Sequence, residues 1–378
     1  MEKLTDICNI QYGYAFDSGC FTEKCSYPPL IRIRDVKRGF SETYYSGEYS
    51  KEYVVHAGDL LIGMDGEFNI ARWKSIDGLL NQRVCKLTAK EGTDEEYLRF
   101  ALVKALKIIE NKTVFVTVKH LSAKELNKLE LDLPCIEKQS LRAKILTKLE
   151  RIIWYRENEL RELDNLIRAR FVEMFGNIKE NRFIKCKMRE VAHIKHGYAY
   201  SGEYFSDKDN GVVLVTPGNF ALGGGFQEIK NKYFTSKYPE EYVLHPGDLI
   251  VTMTDLSKKA DTLGYGAIIP DNTSKIYLHN QRIGLFDELD KRLNPVFVRW
   301  FMQTDEYRLE IVKTSTGSTV HHTSPDRILD SLIFLPPIQL QNDFVKFANQ
   351  VDKSKVKVQK ALDETQKLFD SLMQQYFG

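Results

Sequence analysis

Residues 53–65 read YVVHAGDLLIGMD, and residues 242–254 read YVLHPGDLIVTMT. In each stretch a glycine, Gly58 or Gly247, supplies a turn, and the apolar run behind it supplies a buried strand. Working outward from this pair exposes a repeat. Upstream, residues 4–16 (LTDICNIQYGYAF) return as residues 188–200 (MREVAHIKHGYAY). Downstream, Asn81-Gln82-Arg83 returns as Asn280-Gln281-Arg282, followed in each half by an apolar, helix-like stretch at 97–109 and 296–311. Each half then closes on Leu-Pro and a glutamine: Leu133-Pro134 with Gln139, and Leu335-Pro336 with Gln341. The chain is therefore a duplicated unit. Leu4 aligns with Met188, Tyr53 with Tyr242, Asn81 with Asn280 and Leu133 with Leu335, so the offset grows along the chain. Insertions thus fall between the shared blocks, where loops sit and where binding specificity varies. With no regular βαβ alternation, the expected class is α+β, with two tandem mixed domains rather than a doubly wound sheet.

Residues 139–175 and 341–377 contain neither proline nor glycine and are rich in helix formers. In the second stretch Phe344, Ala348, Val351, Val358, Leu362, Phe369, Leu372 and Tyr376 follow an alternating 4,3 spacing, interrupted by Lys355 and Thr365. The first carries Leu146, Leu149, Ile153, Leu160, Leu163, Ile167 and Met174 in the same way, with Arg156 and Arg170 as exceptions. That spacing predicts a coiled-coil seam, and each stretch ends on Phe-Gly, a helix stop. A helix of about 36 residues is a rod of about 54 Å, too long to bury its stripe against one small domain. Pairing of the two helices, antiparallel because a whole domain lies between them, solves that problem. An antiparallel duplicate acquires a pseudo-two-fold axis, as duplex DNA has, with half-sites roughly 34 Å apart. Core helices of two ordinary domains are the alternative. The expected organisation is a first domain at 1–136, a central helix at 137–177, a second domain at 178–338 and a C-terminal helix at 339–378.

Composition is consistent with two or three domains: 378 residues, 43% hydrophobic, 28% charged, net charge +2. No window approaches 18 apolar residues and the first residues lack a signal-peptide core, so a cytoplasmic protein without a membrane span is expected. The six cysteines form no CxxC pair and read as free thiols. There is no GxxxxGK[ST] loop, and the lone Asn-Pro, Asn294-Pro295, is followed by valine rather than by a second proline and an aromatic residue. No glycine-rich S-adenosylmethionine loop follows an early strand. Catalysis by this chain is not expected.

The repeated Gly-Tyr-Ala, the Gly-Asp-Leu behind Tyr-Val-Val-His or Tyr-Val-Leu-His, the Asn-Gln-Arg, and the Leu-Pro-x-x-x-x-Gln entering a long helix carry a resemblance. The sequence resembles the specificity subunits of type I restriction-modification systems over its whole length. The resemblance implies a non-catalytic DNA-binding subunit whose two recognition domains each read one half of a bipartite, asymmetric target. It implies helices that set the spacer and dock methyltransferase subunits, two in number. Restriction subunits join that core. S-adenosylmethionine, ATP and Mg belong to those partners, and this chain holds no cofactor. Alternatives are a specificity module of a related restriction or phage-defence assembly, and a coiled-coil scaffold that never touches DNA.

Sequence readout needs side chains at base edges, and basic and hydroxyl groups on phosphates. In the first half Arg32, Arg34, Lys37 and Arg38 cluster behind a predicted strand, with a solvated strand edge as the alternative. Lys112, Thr113, Lys119 and His120 form a second group. Residues 313–322 (KTSTGSTVHH) are the counterpart of 111–120 and offer Lys313, Ser315, Thr316, Ser318, Thr319, His321 and His322 in a loop able to approach phosphates. A metal at His321-His322 is not expected, for want of a third ligand. Met64 and Asp65, and at matching positions Thr252 and Thr254, follow the Gly-Asp-Leu strands, the second continuing to Lys258 and Lys259. The resemblance favours a DNA-facing role there; a plain hairpin turn is the alternative. Arg83 and Arg282 either contact DNA or pin the framework. Gly13-Tyr14 and Gly197-Tyr198 read as framework, and Asp59 and Asp248 as turn-forming.

Overall fold

The computed structural model describes residues 1–112, 120–177, 180, 182–229, 231–272, 274–317 and 319–378. It divides into two compact units, Met1–Glu159 with Val358–Gly378, and Leu160–Lys357. Among the described residues no helix is long and apolar enough to cross a membrane.

The first unit is built on a four-stranded antiparallel sheet in the order Cys8–Tyr12, Val84–Ala89, Leu60–Gly63, Ile70–Arg72. The quoted stretch makes its third strand, buried on both faces. Gly58 takes a φ of 98°, a backbone region that L side chains rarely enter, so a glycine must stand before Asp59. Asp59 closes the turn by accepting from His56 N at 2.9 Å. A second sheet places Leu30–Ile31 parallel to Gly78–Leu80, with Val54–Val55 antiparallel on the other side. The helix Glu95–Lys112 packs Tyr97, Leu98, Leu102 and Leu106 into the core with Leu60, Ile62 and Leu87.

The second unit repeats the plan. Its sheet runs Ala192–His196, Ile283–Leu289, Leu249–Thr252, Gly266–Ile268 in the same order. Gly247 has a φ of 90°, and Asp248 accepts from His245 N at 2.8 Å. The parallel pair recurs as Val212–Val215 beside Ile276–His279, with Val243–Leu244 antiparallel. One difference is the helical stretch after the sheet. Where the first unit has one helix, the second has Pro295–Phe301 and Asp305–Thr314, broken where the Thr304 hydroxyl donates to the Phe301 carbonyl at 2.8 Å.

The repeated motifs meet in space. Tyr14 N donates to Leu80 O and Gln82 N to Tyr14 O; Tyr198 N donates to His279 O and Gln281 N to Tyr198 O. A Cβ on Gly13 would sit 2.0 Å from Asn81 O, and one on Gly197 would sit 2.1 Å from Asn280 O. Glycine is required there by backbone contact, which makes this a framework motif. The glutamines act alike. Gln139 Nε2 donates to Gly92 O and Pro134 O while its Oε1 accepts from Asp94 N; Gln341 Nε2 donates to Arg292 O and Pro336 O while its Oε1 accepts from Asn294 N.

The long helices are Ile136–Phe175 and Ile338–Phe377, 40 residues each and about 60 Å long. In the first unit Arg142 stacks on Tyr376, and Arg156 donates to Ala361 O and to Thr365 Oγ1. In the second, Asp164 pairs with Lys355 at 2.5 Å and Phe171 packs on Phe344. As one partner advances along the chain the other retreats, so the pairing is antiparallel in each unit. Two of the polar interruptions in the predicted seam, Arg156 and Thr365, pair with each other, and a third, Lys355, finds Asp164. Phe171 and Phe175, which the 4,3 spacing omits, are buried because they join the aromatic core of Phe297, Phe334 and Phe344.

Candidate nucleic-acid interface

Three segments far apart in the first half converge after the Gly-Asp-Leu strand. Met64 N donates to Arg83 O at 2.9 Å, and Leu121 N donates to Met64 O at 2.7 Å. The second half repeats both bonds with Met253, Arg282 and Thr323, each at 2.9 Å. This stitching places Asp65, Arg83 and His120 side by side, and at equivalent positions Thr254, Arg282 and His322. The contents differ. In the first unit Asp65 Oδ2 lies 3.4 Å from Arg83 Nε, and Asp65 Oδ1 lies 2.5 Å from His120 Nδ1. Arg83 and His120 are about half exposed. In the second unit Thr254 Oγ1 lies 3.2 Å from His322 Nδ1, and no carboxylate pairs with Arg282 among the described residues.

The loop of residues 313–322 comes back onto the same turn. Strand Thr254–Asp255 pairs with His321–His322, and Thr316 bridges His322 through Gly317, whose φ is 94°. Ser315 Oγ donates to Val312 O at 2.7 Å and lies 3.4 Å from His321 Nδ1, while His321 Nε2 lies 3.3 Å from Lys258 O. Lys258, Lys259, Arg282, Lys313, Thr316, Thr319 and His322 are exposed. Asp255 is turned inward. It is buried and accepts from Ser257 N, Thr262 N and Thr262 Oγ1, bonds that offset its burial and hold its carboxyl below the ordinary range. Among the described residues no group of histidines, cysteines and carboxylates could hold a metal.

Several expected contacts are placed elsewhere. Met64 belongs to the hydrophobic core of the first unit, and Thr252 and Thr254 are buried, Thr252 donating to Thr254 O at 2.9 Å. These three side chains face inward, away from solvent. Arg32, Arg34, Lys37 and Arg38 lie on and before a short helix, Ile33–Arg38, and not on a strand edge. Arg32 stands at its N-cap, where its backbone N–H donates to Asp35 Oδ2 at 3.0 Å, with its side chain half-buried against Thr43 and Asp35. Burial raises the Asp35 carboxyl above its ordinary value, and Ser41, Arg34 and Arg38 oppose that shift. Arg34, Lys37 and Arg38 are exposed. Lys37 and Arg38 lie 3.8 and 3.9 Å from Glu67 and Glu42. Thr113, Lys119 and Ser318 lie outside the described residues, as does the side chain of Lys112.

Sequence reasoning named the residues of the three-segment cluster without seeing that they meet. A signal was present: His120 and His322 keep the spacing to the Leu-Pro that the later, gapless part of the repeat keeps.

Residues 1–165 match the family model of the type I restriction modification DNA specificity domain. The chain is 42% identical over 148 residues to the type I restriction enzyme EcoBI specificity subunit of Escherichia coli, a match spanning 39% of this chain and 31% of that one. It therefore spans about a third of the length of that relative. A longer match, 22% identical over 361 residues, covers 89% of the chain and 83% of the MjaVIII specificity subunit of Methanocaldococcus jannaschii. The fold is that of the S subunit of a type I restriction-modification system from M. genitalium, with a TM-score of 0.61, 12% identity and coverage of 100% and 95%. A chain from another structure of the type I system matches with a TM-score of 0.54 and 14% identity, covering 99% and 96%. Both halves of the chain, the matched one and its repeat, carry the three-segment cluster at the same place.

Proposed function

We propose that this chain is the sequence-reading, non-catalytic specificity subunit of a type I restriction-modification enzyme acting on double-stranded DNA in the cytoplasm. The domains at 1–136 and 178–338 each read one half of a bipartite target. The observation that carries this reading is the duplicated cluster: one scaffold, built twice, presents different side chains at equivalent points. That is what an asymmetric target read by two homologous domains requires. The helical segments at 137–177 and 339–378 set the unread spacer and dock two methyltransferase subunits, to which restriction subunits add. Trp154 and Tyr155, both more than half exposed on the central helix, support a docked partner, because large aromatic surface in water is what an interface covers. S-adenosylmethionine, ATP and Mg act on the partner subunits.

Co-expression with a candidate methyltransferase subunit, followed by genome-wide mapping of methyladenine, tests this. The expected outcome is one bipartite, asymmetric motif of constant spacer that disappears when this chain is omitted. Binding of the methyltransferase with no motif rejects the reader role. Absence of both binding and motif leaves a scaffold.

A further inference from the structure

We infer that Arg83, held by Asp65, reads a guanine edge in the first half-site, whereas its equivalent Arg282 makes a sequence-independent phosphate contact in the second. The inference rests on the DNA-reader function proposed above and assigns each half its mode of contact.

The argument starts from His120. Its Nδ1 lies 2.5 Å from Asp65 Oδ1 and 3.3 Å from Arg83 Nη1. One ring nitrogen cannot donate to the carboxylate and also accept from the guanidinium. The shorter contact to an acceptor-only group claims the proton, so Nδ1–H donates to Asp65 and Arg83 Nη1 finds no acceptor there. Asp65 Oδ2 faces the Nε side of the guanidinium at 3.4 Å. Arg83 is thus oriented through Nε while the donors at its Nη end stay unspent. A planar fork with two free parallel N–H groups matches O6 and N7 of guanine in the major groove. Asp65, 3.4 Å from Arg83 Nε, also offsets its charge, so the pair is drawn to phosphate less than a lone cation would be. What remains is the geometric preference.

In the second unit the orienting carboxylate is replaced by Thr254, whose hydroxyl meets His322. The nearest acid in sequence, Asp255, is turned inward onto Ser257 and Thr262. Among the described residues Arg282 is held through its backbone, donating to Asn280 Oδ1 at 3.0 Å and accepting from Met253 N. Its guanidinium is exposed and has no carboxylate partner among the described residues, and Lys258 and Lys259, also exposed, follow Thr254 in the same unit. A cation without an orienting partner is suited to phosphate, a target that demands charge and little geometry.

The experiment compares the full chain with Arg83→Lys, Asp65→Asn, Arg282→Lys and Arg282→Ala, each co-expressed with the methyltransferase partner. Methyladenine is mapped and binding to the wild-type motif is measured against salt. Arg83→Lys keeps the charge and loses the fork. It should relax one base pair of the first half-site roughly tenfold or more and leave the second half-site intact. Asp65→Asn, nearly isosteric, should loosen the same base pair and steepen the salt dependence. Arg282→Lys should retain both motif and affinity, while Arg282→Ala should weaken binding to all sequences and lower the salt slope by about one. Unchanged discrimination at every position in Arg83→Lys overturns the inference. Loss of one specific base pair in Arg282→Lys overturns its second half. A wild-type chain that yields no motif overturns the reader function itself, which separates the two failures.

Discussion

At the scale of single residues, the two halves show how one position can be framework in one copy and a liability in the other. His279 occupies the place of Leu80, beside the strand contact made by Gly197. It is fully buried, its Nε2–H donates to Ile283 O at 2.8 Å, and its Nδ1 has no partner. Burial, opposed by the Ile283 bond and reinforced by Lys195 and His196, lowers its pKa to about 4. The folded protein therefore holds His279 neutral at pH values where the unfolded chain, near 6.5, takes up a proton. Stability from this group is complete above about pH 6.5 and is lost as pH falls toward 4, by on the order of 3 kcal/mol. Substitution His279→Leu, copying the first half, should flatten that loss. Melting temperatures of the two proteins at pH 7 and pH 4.5 check this; equal acid sensitivity would remove His279 as the cause.

Among the secondary-structure elements, the long helices were legible because their signal is local and repeated. Absence of proline and glycine, helix-forming composition and the 4,3 spacing all lie within one segment, and each helix begins within three residues of the expected start. Their pairing was inferred from length, but its register is set by the polar positions. Arg156 reaches Thr365 and the Ala361 carbonyl, so a shift of the helices would strand a guanidinium in an apolar seam. Thr365→Val alone should cost about 1–3 kcal/mol, since Arg156 loses an acceptor. Arg156→Met combined with Thr365→Val removes donor and acceptor together and should restore stability to near wild type. Denaturant midpoints of the single and double variants decide it. A double variant as unstable as the single one would show that the loss does not come from the stranded Arg156 guanidinium.

For the whole molecule, chain order and structural membership disagree. The last 21 residues complete the unit formed by the first 159. Phe369, Leu372, Met373, Tyr376 and Phe377 pack against Phe100, Leu146 and Tyr97. Deleting residues 358–378 should therefore destabilise the N-terminal unit and spare the other. Hydrogen exchange should show lost protection across residues 97–106 with protection retained in Leu249–Thr252. Loss confined to the residues of the second unit would contradict that division.

What the sequence by itself determined is everything carried by local chemistry and by repetition: the α+β class, the two copies, the turn glycines with their buried strands, and the long helices. Each of these depends on torsional preference or on spacing within a few residues. The tertiary structure alone decided which polar residues face water. Thr252 and Thr254 follow a stretch that reads as an exposed turn, yet both are buried, Thr252 at the end of the sheet strand and Thr254 in the strand that pairs with His321–His322. The fold also assembles Asp65, Arg83 and His120 from segments up to 55 residues apart. No periodicity encodes such a meeting, because it depends on which sheet and which helix the intervening chain packs against before it comes back.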